Sequence, residues 1–235
     1  MSGEMAQRIA RIKEKINDVC LRIGRDPGDV RLMAVSKLHP LSAAEEAWEN
    51  GIRLFGENRV QEGIEKFSAF RETRDCPDTE IHFIGNLQRN KAKKTAEFFD
   101  CIQSVDRETL LDELGMLTEK RETPLTIFLE YHTGEESKAG FPDLDSLFKA
   151  AEKALSFPGL KPAGLMTMAP LTDDAKAIRA SFRSCMKASE ALGKRFGDEN
   201  WSCLSMGMTN DFEIAIEEGS TLVRIGTAIF GERLL

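Results

Sequence analysis

The sequence predicts an α/β fold in which eight parallel strands close into a (β/α)8 barrel after an extra N-terminal helix. Short apolar runs alternate with segments of helical period, which is the pattern of strands joined by crossover helices. The chain has 235 residues, close to the ~250 that one such barrel needs. No low-complexity run or Gly/Ser linker interrupts it. We therefore expect residues 1–235 to form a single TIM-type barrel domain, with an open doubly wound sheet as the alternative.

The positions of the elements follow from hydrophobic periodicity and helix punctuation. Apolar and β-branched runs predict strands at 32–36, 52–56, 81–85, 101–105, 125–131, 163–168, 203–207 and 222–225. Helical spacing predicts the added helix at about 3–23 and further helices at 61–73, 87–98, 108–121, 144–155, 174–192 and 211–218. One more helix is expected before Gly51, where Ser42 and Glu45 have the spacing of a capping box.

Composition and charge exclude several classes of protein. Hydrophobic residues make up 41% of the chain and charged residues 30%, which allows a large core beneath a solvated surface. The formal net charge of −7 opposes binding to nucleic acid and to anionic membranes. No run of ~18 apolar residues is present, and the N-terminus is amphipathic rather than a signal sequence. We expect a cytoplasmic protein with no nucleic-acid or membrane partner.

The cysteines and histidines indicate neither a disulfide framework nor a metal site. The five cysteines are odd in number and contain no CxxC pair. The three histidines lack the spacing of metal ligands. These residues are Cys20, Cys76, Cys101, Cys185, Cys203, His39, His82 and His132. We expect reduced thiols and no bound metal.

A lysine at the end of the first predicted strand is the first candidate for chemistry, because parallel barrels place their sites at the carboxyl ends of strands. Strand alternation puts Met33, Val35 and Lys37 on one face. If that face points into the barrel, apolar surroundings lower the pKa of the Lys37 amine and favour Schiff-base chemistry with an aldehyde. The alternative is an ordinary lysine that extends into solvent.

Small and hydroxyl residues end the seventh and eighth predicted strands. Ser205 and Gly207 end the seventh, and Gly226 and Thr227 end the eighth. Backbone N–H groups can approach a phosphate closely at such positions, and many barrels bind phosphate after these two strands. The alternative is that the glycines only permit turns.

Arg224 lies within the eighth predicted strand, on the same face as Gly226. A guanidinium on an inward strand face requires a partner, because an unpaired buried charge is costly. The sequence leaves two kinds of partner open: a carboxylate such as Asp106 or Glu57, or an acceptor atom of a ligand.

Several motifs together resemble one known family. They occur in this order from about residue 32 to residue 231: AVSK, FGENRVQE, IHFIGNLQRNK, SVD, GLMTM, LSMGMTNDFEIAI and VRIGTAIFG. The chain resembles the pyridoxal phosphate homeostasis proteins of the YggS/PROSC type. The resemblance implies a fold-type-III barrel, related to the N-terminal domain of alanine racemase, that binds pyridoxal 5'-phosphate (PLP) through a Schiff base on Lys37.

The resemblance also implies roles for other residues. The phosphate is expected on Ser205, Gly226 and Thr227, with help from the Met206 backbone. Arg224 is expected to face the pyridine nitrogen, and Asn58 to lie near the 3-hydroxyl of the ring. The residues expected only to line the pocket are His82, Asn86 and Met166.

The expected site favours a carrier over an enzyme. A protonated arginine at the pyridine nitrogen makes the ring a weak electron sink. Related racemases take a second acid/base group from a tyrosine of a separate C-terminal domain, which we expect to be absent here. Glu57, His82 and Tyr131 are the remaining candidates for that group, and none is assigned.

The leading hypothesis is therefore a monomeric PLP-binding protein that stores, delivers or buffers the cofactor and passes it to PLP-dependent apoenzymes. A weak PLP-dependent amino-acid racemase-like enzyme is the alternative. Further alternatives are an aldolase-like lyase that uses Lys37 without PLP, and a protein that acts by docking to partner proteins.

Overall fold

A computed structural model describes residues 2–134 and 139–232 of the chain. Eight strands form a closed barrel in sequence order, and each pairs with its neighbours in parallel. The eighth strand returns to pair with the first, through a register that sets Met33 opposite Arg224. The closed barrel is confirmed, and the open sheet is wrong. The predicted domain, 1–235, also includes residues 1, 135–138 and 233–235, which lie outside the described residues.

The strands are short and lie close to their predicted positions. They are β1 (Arg31–Val35), β2 (Leu54–Glu57), β3 (Glu80–Phe83), β4 (Cys101–Val105), β5 (Leu125–Glu130), β6 (Leu160–Met166), β7 (Cys203–Ser205) and β8 (Leu222–Ile225). The predicted bounds of β4 and β8 agree with the structure, and the other six strands differ by one to three residues at an end. All eight carboxyl ends open at the same end of the barrel.

The helices surround the barrel. They are α1 (Ser2–Arg22), α2 (Leu41–Glu49), α3 (Val60–Thr73), α4 (Ala92–Phe98), α5 (Glu108–Thr118), α6 (Leu144–Ser156), α7 (Ala175–Phe196), α8 (Phe212–Glu217) and α9 (Thr227–Phe230). Single 3-10 turns occur at Pro27–Asp29, Arg89–Lys91 and Asp198–Asn200. The start of the helix predicted at 87–98 is partly such a turn, and α9 was not predicted. None of these described helices is both long and apolar enough to cross a bilayer.

The extra N-terminal helix is confirmed and has a clear packing role. Ile9, Ile12, Ile16 and Val19 recur at helical spacing along α1 and are all buried. This stripe covers the side of the barrel near α2, α8 and α9. The first helix therefore packs against both the first and the last helices of the barrel.

The predicted capping box at the start of α2 is wrong. The helix begins at Leu41, with Pro40 at the N-cap position and no side-chain cap. Pro40 is extended and its carbonyl accepts a hydrogen bond from Ala43. The Glu45 carboxylate instead binds Arg74 of the following loop at 2.7 Å. Glu45 therefore joins two neighbouring units and does not satisfy the helix terminus.

Alternation along each strand separates the barrel interior from the layer beneath the helices. Met33 and Val35 pack inside the barrel with Leu54 and Leu222. Ala34 lies between them and packs outward into the large core shared with the helices. Successive side chains of a strand point to opposite faces. In the other strands too, only every second residue points into the barrel and can reach its mouth.

Candidate functional site

A cavity of about 680 Å³ opens at the carboxyl ends of the strands. Lys37 follows β1 in its wall, Arg224 reaches it from β8, and Gly226 and Thr227 border it at the start of α9. Met166, at the end of β6, also lines it. The structure thus brings together the predicted lysine, arginine and glycine–threonine pair, which come from opposite ends of the chain.

Lys37 lies on a tightly held turn after β1. The side chain is half-buried, and the next residue, Leu38, has a left-handed φ of 64°. A non-glycine residue adopts this conformation only where its surroundings hold it. The Leu38 N–H donates to Glu62 Oε1 at 2.5 Å, and the His39 N–H donates to the Ser36 carbonyl at 3.1 Å. These contacts fix the backbone that carries the amine.

A buried ion pair supports the same turn from below. Lys66 Nζ donates to Glu57 Oε1 at 2.8 Å and to the Ser36 carbonyl at 2.7 Å. The Ser36 hydroxyl also donates to Glu57, at 2.7 Å. Burial raises the pKa of the Glu57 carboxyl, and the Lys66 charge opposes that rise. Glu57 is fully buried between strand and helix, so it does not reach the cavity as an acid/base group.

Arg224 is held by protein oxygens at the base of the cavity. Its Nη1 donates to the Ser205 carbonyl at 2.5 Å and to the Ser205 hydroxyl at 2.8 Å, and its Nη2 donates to the Thr167 carbonyl at 2.8 Å. Burial lowers the Arg224 pKa to about 10, although Asp211 and Glu130 oppose this. The guanidinium therefore stays protonated near neutral pH, and it has more N–H donors than these three bonds use.

The carboxylates considered as direct partners of Arg224 are engaged elsewhere. Asp106 pairs with its neighbour Arg107, and Glu57 pairs with Lys66. The contacts of Arg224 are instead backbone carbonyls and one hydroxyl. Neither Asp106 nor Glu57 is therefore the direct partner of Arg224, and an acceptor atom of a ligand stays a prediction.

Ser205 and Met206 do not line the cavity. The Ser205 side chain is fully buried, where it accepts from Arg224 and donates to Gln103 Oε1 at 2.6 Å. Met206 packs outward into the core beneath the helices. The strand ends at Ser205, and Gly207 turns the chain with a φ of 94°. Thr209, further along this loop, borders the cavity instead. Sequence reasoning missed Thr209, although its hydroxyl lies in the same LSMGMTND motif.

Three other predicted site residues lie away from the cavity lining. His82 is buried inside the barrel, below the cavity, and Asn86 is exposed beyond β3; neither is among the lining residues. Asn58 follows β2 and packs against Gly85 so closely that a side chain at Gly85 would overlap the Asn58 carbonyl. Its Oδ1 is buried without a hydrogen-bond partner in the described residues. The lining of this cavity does not include His82 or Asn86, and their expected role as pocket lining stays a prediction.

Comparison with known proteins identifies the family. The model of the alanine racemase N-terminal domain family matches residues 8–234. The pyridoxal phosphate homeostasis protein of Vibrio cholerae is 40% identical over 97% of this chain and 95% of its own length. The corresponding protein of Aquifex aeolicus is 37% identical over 97% of both chains. The chain belongs to the pyridoxal phosphate homeostasis protein family.

Solved structures agree with this assignment. PipY of Synechococcus elongatus, solved without PLP, is 34% identical, with a TM-score of 0.85 over 97% of this chain and all of that one. PipY with PLP bound superposes with a TM-score of 0.84. Alanine racemase from Corynebacterium glutamicum shares the fold with 15% identity and a TM-score of 0.73, and this chain covers 62% of it. The resemblance inferred from the sequence motifs is thus confirmed.

In this family member, the cavity extends well beyond the lysine and the glycine–threonine pair. The loop after β6 and the start of α7 form a largely apolar wall that sequence reasoning did not predict. Its residues are Met168, Ala169, Pro170, Leu171, Ala175 and Ile178. Leu171 is 91% exposed at the rim, so this wall stands open to solvent. Within residues 2–134 and 139–232, no group of three or more His, Cys, Asp or Glu side chains is arranged to hold a metal ion.

Proposed function

We propose that the protein binds PLP in this cavity and takes part in cytoplasmic PLP homeostasis, storing, delivering or buffering the cofactor through Lys37. The observation that carries the proposal is the common cavity of Lys37, Arg224 and the Gly226–Thr227 pair. PipY, which this chain matches over 97% of its own length and all of PipY, has been solved with PLP bound. The whole chain acts as one PLP-binding domain in this proposal, as a monomer that transfers cofactor to PLP-dependent apoenzymes.

The donor set of the cavity fits the chemical groups of PLP. The Thr227 and Thr209 hydroxyls and the backbone at Gly226 suit a phosphate. Arg224 offers N–H donors to the pyridine nitrogen. Asn58, expected near the 3-hydroxyl, lies outside the cavity lining, so that contact stays a prediction. When bound, PLP supplies an aldehyde that forms a Schiff base with a lysine amine and releases water. Lys37 is the amine in the cavity wall.

The surrounding residues favour a carrier over a fast enzyme. Arg224 stays protonated near neutral pH, so with PLP bound it would donate to the ring nitrogen and discourage protonation of that nitrogen. Two-base chemistry needs a second group within reach of the substrate. Glu57, His82 and Tyr131 were the candidates, and none of them lines the cavity. A racemase-like activity remains the alternative, and incorporation of solvent deuterium at the α-carbon of amino acids would reveal it.

Removal of Lys37 is expected to abolish covalent PLP binding. Wild-type protein incubated with PLP should show a visible absorption band that borohydride removes, and mass spectrometry should place reduced PLP on the peptide that contains Lys37. The Lys37→Ala variant should lose both signals. Lys91→Ala, a half-buried lysine beyond β3, is the matched control and should keep them. A band that persists in Lys37→Ala contradicts the proposal, and a sugar-phosphate adduct in place of PLP would favour the lyase.

Removal of the Thr209 hydroxyl is expected to weaken PLP binding by about tenfold to a hundredfold, because a hydrogen bond to a charged group contributes about 1.5–3 kcal/mol. Thr209→Val keeps the shape of the side chain. Titration with pyridoxal, which lacks the phosphate, should give the same affinity for variant and wild type. Thr172→Val, at the same cavity, is the control. Equal losses for PLP and pyridoxal would argue against a phosphate contact at Thr209.

A further inference from the structure

A row of polar side chains, buried except for its last member, crosses the barrel interior beneath the cavity. It starts at Arg224, which donates to the Ser205 hydroxyl at 2.8 Å. Ser205 donates to Gln103 Oε1 at 2.6 Å, and Gln103 Nε2 lies 2.9 Å from His82 Nδ1. His82 Nε2 lies 3.1 Å from Glu80 Oε2. Successive hydrogen bonds thus connect four strands across the barrel interior, from β8 through β7 and β4 to β3.

The chemistry of the groups gives this row one direction. The Gln103 amide nitrogen can only donate, so His82 Nδ1 accepts. The proton of neutral His82 then lies on Nε2, which donates to the Glu80 carboxylate. Every hydrogen bond of the row therefore points the same way, with the donor on the Arg224 side and the acceptor on the Glu80 side. Burial lowers the His82 pKa, against the opposing effect of Glu80, which agrees with a neutral ring.

The two ends of the row lie at opposite ends of the barrel. Arg224 is buried at the base of the cavity. Glu80 is the first residue of β3, its side chain is 45% exposed, and it pairs with Arg31 at 2.8 Å. The row therefore connects the cavity with the solvent-facing edge at the amino ends of the strands.

We propose that Ser205, Gln103, His82 and Glu80 form a relay of positioning residues that sets the hydrogen bonding of Arg224 toward the pyridine ring of bound PLP. This inference rests on the proposed function. None of these four residues lines the cavity, so they act on the cofactor only through Arg224.

Each residue of the relay fixes the hydrogen bonding of its neighbour, so a change at Glu80 alters the hydrogen bonding of Arg224. Ser205 accepts from Arg224 in its present geometry because its own proton goes to Gln103. The Gln103 amide keeps its orientation because His82 Nδ1 accepts from it. His82 Nδ1 accepts because the Glu80 carboxylate, which can only accept, holds the ring proton on Nε2. An amide in place of that carboxylate can donate to Nε2 as well, and the orientation of the whole relay is then no longer defined.

The test compares two neutralising changes at the same edge of the barrel. Glu80→Gln alters the end of the relay, whereas Asp78→Asn removes the same charge from an exposed residue that pairs with Arg53. Both variants are loaded with PLP, and the absorption maximum of the bound cofactor, its dissociation constant and the urea unfolding curve are measured. Hydrogen bonding at the ring nitrogen tunes the electronics of the cofactor, so the spectrum reports on Arg224 directly.

Glu80→Gln is expected to shift the absorption maximum and to weaken PLP binding about threefold to tenfold, since one hydrogen bond of the row is misoriented. Asp78→Asn should match wild type in both. Gln103→Leu, which interrupts the relay at its centre, should shift the spectrum in the same direction as Glu80→Gln. Variants that lose stability but keep the wild-type spectrum would overturn the relay. Absence of a Lys37-dependent band in wild type would instead refute the proposed function.

Discussion

Lys66→Met is expected to lower the free energy of unfolding by about 3–5 kcal/mol, because it leaves a buried carboxylate without its counter-ion. Lys66 and Glu57 are both buried, and their charged atoms are 2.8 Å apart. Methionine fills similar space but supplies no donor to Glu57 or to the Ser36 carbonyl. The loss is measured by urea unfolding of the protein without PLP.

Two further variants separate the ion pair from general effects of a lysine substitution. Lys93→Met, on an exposed lysine of α4, should change the stability by less than about 0.5 kcal/mol. Lys66→Met combined with Glu57→Gln should recover part of the loss, because the unpaired charge is gone. If the double variant is as unstable as the sum of the two single variants, the pairing does not explain the effect.

Glu130→Gln is expected to remove a large part of the pH dependence of stability. Burial raises the Glu130 pKa from 4.5 to about 7, Asp106 adds to the rise, and Arg224 opposes it. A raised pKa in the folded state means that the protonated form stabilises the fold. That contribution is complete below about pH 4.5 and is lost as the pH rises through about 7, which corresponds to about 3 kcal/mol.

Glutamine cannot ionise, so the variant keeps this contribution at alkaline pH. The stability of Glu130→Gln relative to wild type should increase by about 3 kcal/mol between about pH 4 and about pH 8. Unfolding curves in urea at several pH values measure the difference. Glu152→Gln, on an exposed residue of α6, should follow the wild-type profile. A constant offset between Glu130→Gln and wild type across this range would show that Glu130 does not titrate as described.

The barrel could be predicted because its strands are continuous apolar runs between helical segments. β4 and β8 agree with their predicted bounds for this reason. β6 was predicted to begin at residue 163, but it begins at Leu160. Lys161 and Pro162 pair with β5, and neither residue type indicates a strand in the sequence. The capping prediction at Ser42 failed because the helix begins one residue earlier, at Leu41, with Pro40 at the N-cap position.

The site could be predicted only as far as its residues lie at strand ends on the inward face. Lys37, Arg224 and Gly226 satisfy that condition. Ser205 has the right direction, but its side chain is fully buried between Arg224 and Gln103. Met206 has the wrong parity and faces the helices. The hydrogen-bonded row through Gln103 had no sequence signal, since its members are far apart in the chain and meet only across the closed barrel.

Completion of the cavity requires the pairing of β1 with β8, the first and last strands of the barrel. Its amine comes from the first strand and its glycine–threonine pair from the start of the helix after the last. Contacts of such high sequence separation form only after a long loop has closed, which slows folding. A nascent chain still lacking its eighth strand would have the lysine but no complete cavity for the proposed cofactor. Ligand capture would then report that barrel assembly has finished.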